Sequence, residues 1–378
     1  MNMNNTKPVP WGPNKNCLHW NIKTHTEEWY KFRERGIGSS EISVVTRTND
    51  FEILPRWIER KAGLRPDVDL NEAMLAGLYA EDGILDRWKY WDGGESYVLN
   101  YVAKKIIRDC IKFFGYVTNP KYPILFTSTD AWAMPGSPKL SVGEESETGF
   151  PIEAKLISGY YADKWEASIP PGYIFQIHHE MLVTESDYAE LATLRDGKIF
   201  QVIPIERREN LCNMILEKSE EVWPMVLRVR DIASKIKIAP TSREKEELQA
   251  ELDSMLPLPD ENPLYSEFYS EKHIKTNDFT EMPQTVYENA ILRVKIAKAV
   301  KVLEDQMEYF DNMIKREFSL AGVEFFDAGI NDGKLRYFLR AGGKNHQLSY
   351  QSFKAKPKGE VLEQITEKTK NLIKEIIL

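Results

Sequence analysis

The chain has 378 residues, a formal net charge of −8 and 42% apolar residues, enough to bury a sizeable core and long enough for two structural units. Its three cysteines, Cys17, Cys110 and Cys212, are odd in number and far apart; that excludes the ligand spacing of a zinc ribbon or an iron–sulfur cluster and favours reduced thiols in a cytoplasmic protein. No run approaches 18 apolar residues, and the opening MNMNNTKPVPWGPNKN holds no apolar stretch, so neither a membrane-spanning helix nor a signal peptide is expected.

In chain order, the polar, proline-broken residues 1–20 predict an irregular arm, and 26–35 a short helix. The small residues from Gly36 to Ser40 predict a turn that opens the next helix, and the apolar spacing over 71–91 and 97–114 predicts two more. The stretch from Tyr122 to Asp130 reads as a strand ending at an aspartate, followed by a polar hairpin-like loop and a second strand from Phe150 to Ile157. A helix over 173–184, strands over 188–194 and 199–205 around an Asp196-Gly197 turn, and a helix over 211–223 complete a first unit assigned to residues 21–235. Residues 241–281 carry eleven acidic and four basic side chains, so this stretch reads as a linker or as a peripheral acidic helix followed by a loop, and 236–281 is set apart as an acidic linker region. The three-and-four spacing of Tyr287, Ile291, Val294, Ala297, Val300, Leu303, Met307, Phe310 and Ile314 predicts one long helix over 284–320. A β-hairpin (334–340 with 346–353) and a terminal helix would complete an appended module at 282–378. Residues 331–358 hold seven Lys or Arg against Asp332, a pattern that fits a DNA-backbone contact and a solvated hairpin face equally well.

The chemistry concentrates on an aspartate at a strand end and Glu-x-Lys on the next strand, 23 residues later. Side chains at i and i+2 of a strand share a face, so Glu153 and Lys155 point one way and Ala154 the other. Carboxylates of this kind hold a hard divalent cation, and a neighbouring ammonium positions water or steadies developing negative charge. The spacing alone fits an exposed strand of alternating charge just as well.

The surrounding residues resemble the phage-type recombination exonucleases of the YqaJ family, to which lambda exonuclease belongs. Trp29-Tyr-Lys-Phe-Arg33 with Gly36-Ile-Gly-Ser-Ser40-Glu41-Ile42 is similar to the family's opening W-x-x-x-R…IG-x-S-(D/E) pattern. Gly77-Leu-Tyr-Ala-Glu81 resembles its G-x-x-x-E helix, Asp130 and Glu153-Ala-Lys155 its metal-site pattern, and Tyr173-Ile-Phe-Gln176 with Met181 and Thr184 its Y-x-x-Q…M-x-V-T helix. Where the family writes PDG around the aspartate, this chain has Thr129-Asp130-Ala131, so the following turn is expected to differ. The resemblance implies a restriction-endonuclease-like core, a mixed sheet flanked by helices. It implies Asp130, Glu153 and Glu81 as ligands of magnesium (with manganese as a substitute), Lys155 and Gln176 as further catalytic residues, and Arg33 and Ser40 as holders of a terminal 5′ phosphate. It also implies digestion of one strand of duplex DNA from a 5′ end, a single-strand annealing partner for the 3′ overhang, and a ring-shaped trimer. The alternatives are an endonuclease with the same site and a non-catalytic protein that binds DNA ends.

Other residues carry competing readings. His178 and His179 follow Gln176 and would be ligands or, more commonly, packed histidines. Glu72 is a second helical acid without the matching flanks, and Glu144, Glu145 and Glu147 read as a solvated loop. Tyr160, Tyr161 and Trp165 would stack on a base or pack on the sheet.

Overall fold

The computed structural model describes residues 7–353 except 25, 69, 95, 141–142, 160–164, 166–167, 273–282, 322–324, 331–332 and 341–346, with side chains described to residue 316. The chain divides into two units, residues 1–274 and 275–378. Among the described residues no helix is long and apolar enough to cross a membrane.

The first unit is a mixed α/β structure built on two five-stranded mixed sheets with helices against their faces. One sheet joins β1 (Val9–Pro10), β2 (Leu18–Trp20), β5 (Tyr116–Thr118), β6 (Leu125–Thr127) and β3 (Ile37–Gly38) in that order. The other runs β10 (Ile199–Glu206), β9 (Tyr188–Arg195), β8 (Phe150–Ile157), β7 (Ala131–Ala133) and β4 (Cys110–Ile111). Strands β8 and β9 are parallel, with Glu153 opposite Leu191 and Lys155 opposite Thr193, and helix α6 (Pro171–Thr184) makes the crossover between them. A parallel pair is covered on both faces, which explains why β8 and β9 are nearly continuous buried runs. On one face Ile152, Ala154, Ala192 and Leu194 pack with Ile84, Leu85 and Trp88 of α4 (Glu72–Trp88). On the other, Ala189 and Leu191 pack with Ile177 and Met181 of α6. The alternation sends Glu153 and Lys155 toward α6. The β9–β10 hairpin turns through Asp196 and Gly197, both at positive φ (50° and 68°), the backbone that an Asp-Gly pair favours.

Several expectations are corrected. Of the arm expected at 1–20, the described part, residues 7–20, joins the first sheet: β2 pairs with β5, and Trp11, 1% exposed, meets the Trp132 ring edge-on at 4.5 Å. Burial of one large aromatic ring outweighs a polar, proline-rich composition. The helix expected over 97–114 stops at Val102 (α5, Tyr97–Val102), because Arg108 turns inward to form a fully buried pair with Glu190 at 2.8 Å. The strand expected up to Asp130 is only Leu125–Thr127; Asp130 stands where the chain leaves the first sheet for the second. Helix α7 (Glu209–Ile238) continues through Pro224 for 30 residues, since Val226, Val229 and Ile232 extend its buried face and offset the helix-breaking cost of proline. Of the two readings of the acidic stretch, the helical one holds and the free linker does not. Helices α8 (Ser242–Met255) and α9 (Leu264–Lys272) bury Leu252, Tyr265 and Phe268 in the first unit, with the acids left outward.

The second unit holds α10 (Gln284–Ala321), as its spacing predicts, and a three-stranded antiparallel meander of Phe325–Ile330, Gly333–Arg340 and Gln347–Phe353. The last two strands match the expected hairpin; the first adds a strand. The terminal helix and the basic side chains of 331–358 lie outside what is described.

Candidate active site

Asp130, Glu153, Lys155 and Gln176 come together around the start of β8. Asp130 sits at the crossover between sheets, and its Oδ2 accepts a hydrogen bond from the Ala154 backbone N–H at 2.8 Å. That bond ties the aspartate to the strand whose next side chains are Glu153 and Lys155. Glu153 is 2% exposed; its Oε1 accepts from Gln176 Nε2 at 2.6 Å and from the Lys155 ammonium. The Lys155 ammonium also lies 5.7 Å from the Tyr173 ring centre.

The electrostatics follow from burial. Asp130 is held well above the usual carboxylate range, first by desolvation, then by the Glu153 charge, with Lys155 opposing and Glu81 adding. Desolvation disfavours the Lys155 ammonium, but Glu153 and Asp130 outweigh it and hold the lysine charged. Glu81 projects from α4 close enough to raise Asp130, and its carboxylate is paired with Lys112 at 2.6 Å.

An acid absent from the sequence-based candidates joins this group. Glu180, fully buried on α6, accepts from Gln176 Nε2 at 3.4 Å, the same amide that donates to Glu153 at 2.6 Å, so the two carboxyls face each other across Gln176. Burial, then Glu153 and Asp130, push Glu180 far above its ordinary value. One oxygen each of Glu153 and Glu180 is buried with no hydrogen-bond partner. Orphaned carboxylate oxygens in an all-oxygen donor set suit a hard divalent cation. Among the described residues, no three His, Cys, Asp or Glu side chains are gathered as a ready-made ligand set.

A second charge cluster is built at the turn after α1 (Glu27–Arg33). At Gly36 any Cβ would meet the Ile124 carbonyl oxygen at 2.3 Å, so only glycine lets the chain enter the short strand β3. Gly38 N–H then donates to Glu41 Oε2 at 2.9 Å. Glu41 Oε1 pairs with Arg33 at 2.9 Å, and Oε2 with Lys61, from α3 (Leu54–Lys61), at 2.8 Å. Desolvation opposes the Glu41 charge, but Arg33 and Lys61 outweigh it and hold the carboxyl at about 2. Burial brings Lys61 down to about 8, against the pull of Glu41 and with a push from Arg33. Arg33 lies 4.8 Å from the Trp29 ring centre and keeps part of its side chain exposed. Ser40 is exposed on the 3-10 turn that carries Glu41, whereas Ser39 is buried and accepts from Thr127 Oγ1 at 3.0 Å. Two cations share one carboxylate here.

The remaining candidates fall elsewhere. His179 contacts the Phe126 carbonyl at 3.1 Å, and burial takes it to about 4; His178 faces the Ile174 carbonyl at 2.8 Å. Both are packed histidines. Trp165 packs with the Ile177–Leu191 core, Tyr160 and Tyr161 lie outside the described residues, and Glu72, Glu144, Glu145 and Glu147 are exposed.

Residues 28–187 match the family model described as YqaJ-like viral recombinase domain. Over 207 residues the chain is 26% identical to protein YqaJ of Bacillus subtilis (strain 168), covering 54% of this chain and 57% of that protein. An alkaline exonuclease from Laribacter hongkongensis aligns over 57% of this chain and all of its own, at 15% identity and a TM-score of 0.42. The same exonuclease in complex with dAMP aligns over 57% and 98%, at 16% identity and 0.41.

Proposed function

From the match of residues 28–187 to the family model described as YqaJ-like viral recombinase domain, we propose that the chain is a magnesium-dependent deoxyribonuclease that degrades one strand of duplex DNA from a 5′ end. The observation that carries the reading is the grouping of Asp130, Glu153, Lys155 and Gln176 inside the matched segment. A carboxylate pair, one of whose oxygens (on Glu153) has no hydrogen-bond partner, with one charged lysine and an amide, is the equipment of phosphodiester hydrolysis.

Asp130 and Glu153 would hold the cation, with Glu81 supporting from α4. When bound, such a cation supplies Lewis acidity and a more acidic water. Lys155, kept charged by its acidic neighbours, orients the attacking water and steadies charge on the phosphate. Gln176 fixes one Glu153 oxygen and so leaves the other free to turn toward the cation. The Arg33–Glu41–Lys61 cluster carries one net positive charge, which suits the terminal phosphate monoester of a 5′ end. Arg33 presents the fork and Ser40 an exposed hydroxyl. The remaining 3′ overhang would pass to a single-strand annealing partner, and a ring-shaped trimer is the assembly that fits processive digestion.

Incubation of end-labelled linear duplex and of closed circular duplex with magnesium, with and without chelator, tests this reading. Loss of the 5′ label from the linear form alone, abolished by chelator, is expected. Cutting of the closed circle would indicate an endonuclease instead, and cleavage in chelator would remove the cation from the account.

A further inference from the structure

Glu180 is unused by the chemistry above, yet its placement is costly. It lies four residues after Gln176 on α6, so the two side chains leave the same helix face. It is 0% exposed, its Oε1 receives only the long 3.4 Å bond from Gln176, and its Oε2 has no hydrogen-bond partner. Glu153, the residue it faces, is 2% exposed and also carries a partnerless Oε2. Burying a carboxylate without a partner is expensive, and placing it against a second carboxylate more so. A glutamine of the same shape would offer Glu153 a donor and would serve packing better. Among the described residues Lys155 pairs with Glu153 alone, while Asp130 and Glu180 both lie within electrostatic reach of Glu153 and of that one ammonium. With all three carboxylates ionised, the form a bound cation would favour, the excess of two negative charges equals the charge of one divalent cation.

We infer that Glu180 is a further acidic residue of the divalent-cation site, its carboxylate supplying an oxygen, directly or through a bound water, to the cation held by Asp130 and Glu153. The assignment rests on the cation-dependent chemistry proposed above. It adds a ligand group from α6 to those on the sheet, so that helix and strand are drawn together when the cation binds.

The test is titration of Mn2+ into the full-length, DNA-free protein by calorimetry, with thermal unfolding followed in parallel. Glu180→Gln should weaken Mn2+ binding about tenfold or more and shrink the Mn2+-induced rise in Tm. Without the cation its Tm should equal or exceed that of the wild type, because a carboxylate repulsion has gone. Glu153→Gln is the control. If Glu153→Gln loses Mn2+ affinity while Glu180→Gln keeps it, the role of Glu180 is overturned and the cation site stands. If the wild type binds no Mn2+, the proposed site itself fails. Should Glu180→Gln not fold, Glu180→Asp keeps the charge on a shorter arm and should shift Mn2+ affinity severalfold; an affinity equal to the wild type overturns the assignment.

Discussion

Around Glu153 the chain gathers three carboxylates and one ammonium; around Glu41 it gathers two cations and one carboxylate. Both clusters lie in the first unit, both are largely buried, and helix α6 packs against the elements that carry each. Their excess charges are opposite. The first calls for a cation and the second for an anion, the two things that the proposed nuclease acting on DNA ends would have to hold. A net charge of −8 is therefore no guide to how the chain meets phosphate; the sign that matters is set locally by which partners are buried together.

The sharpest break in the comparison is to remove the single anion of the positive cluster. Glu41→Gln leaves Arg33 and Lys61 buried side by side, and loss of one member of a buried ion pair costs about 3–5 kcal/mol. Urea unfolding should register that loss, and a change below about 1 kcal/mol would mean that the cluster is not a coupled unit. In the negative cluster, Glu153→Gln and Lys155→Ala should each lower cleavage by about a hundred- to a thousandfold with circular dichroism unchanged. Wild-type turnover by either purified variant would dismiss the site. Arg33→Ala should slow digestion of 5′-phosphorylated ends by roughly ten- to a hundredfold, the value of one or two charge-assisted hydrogen bonds, and should erase most of the preference over 5′-hydroxyl ends. A preference that survives would leave Arg33 as a partner of Glu41 only.

The smallest effect concerns pH. Burial lowers Lys61 to about 8, so raising the pH through that value discharges it and leaves Arg33 and Glu41 balanced. The advantage of 5′-phosphorylated ends should fall severalfold between about pH 7 and 9 and become flat in Lys61→Met. The linkage to folding has the matching sign. A lysine lowered in the folded state costs stability while the unfolded chain holds it charged at no penalty, and that cost is relieved as pH rises through about 8. Glu41, lowered to about 2, contributes in the opposite sense: its contribution is full above the ordinary carboxylate range and is lost as pH falls through about 2.

The strand part of the site is legible because a two-residue period is local: Glu153 and Lys155 share a face whatever else happens. Asp130 is legible as a residue type and position, though its strand is not, since the crossover between sheets depends on pairing with distant segments. Glu180 was within reach. Its four-residue offset from Gln176 places it on the same helix face, but a lone acid beside two histidines carries no pattern of its own. Lys61 offered no signal, because only the packing of α3 beside the Gly36–Glu41 turn brings it to Glu41. The ordered N-terminal arm and the early end of α5 were hidden for the same reason. Trp11 on Trp132 and Arg108 on Glu190 are contacts across more than 80 residues of sequence. The proline-interrupted helix α7 shows that a local breaker yields when the buried face beyond it is apolar enough.

The most direct test of the two-cluster account is anomalous diffraction from crystals grown with Mn2+ and a 5′-phosphorylated oligonucleotide. The account predicts a manganese peak at Asp130 and Glu153 and the terminal phosphate on Arg33 and Ser40. A manganese ion bound away from Glu153, or a terminal phosphate seated elsewhere with Arg33 still closed on Glu41, would contradict it.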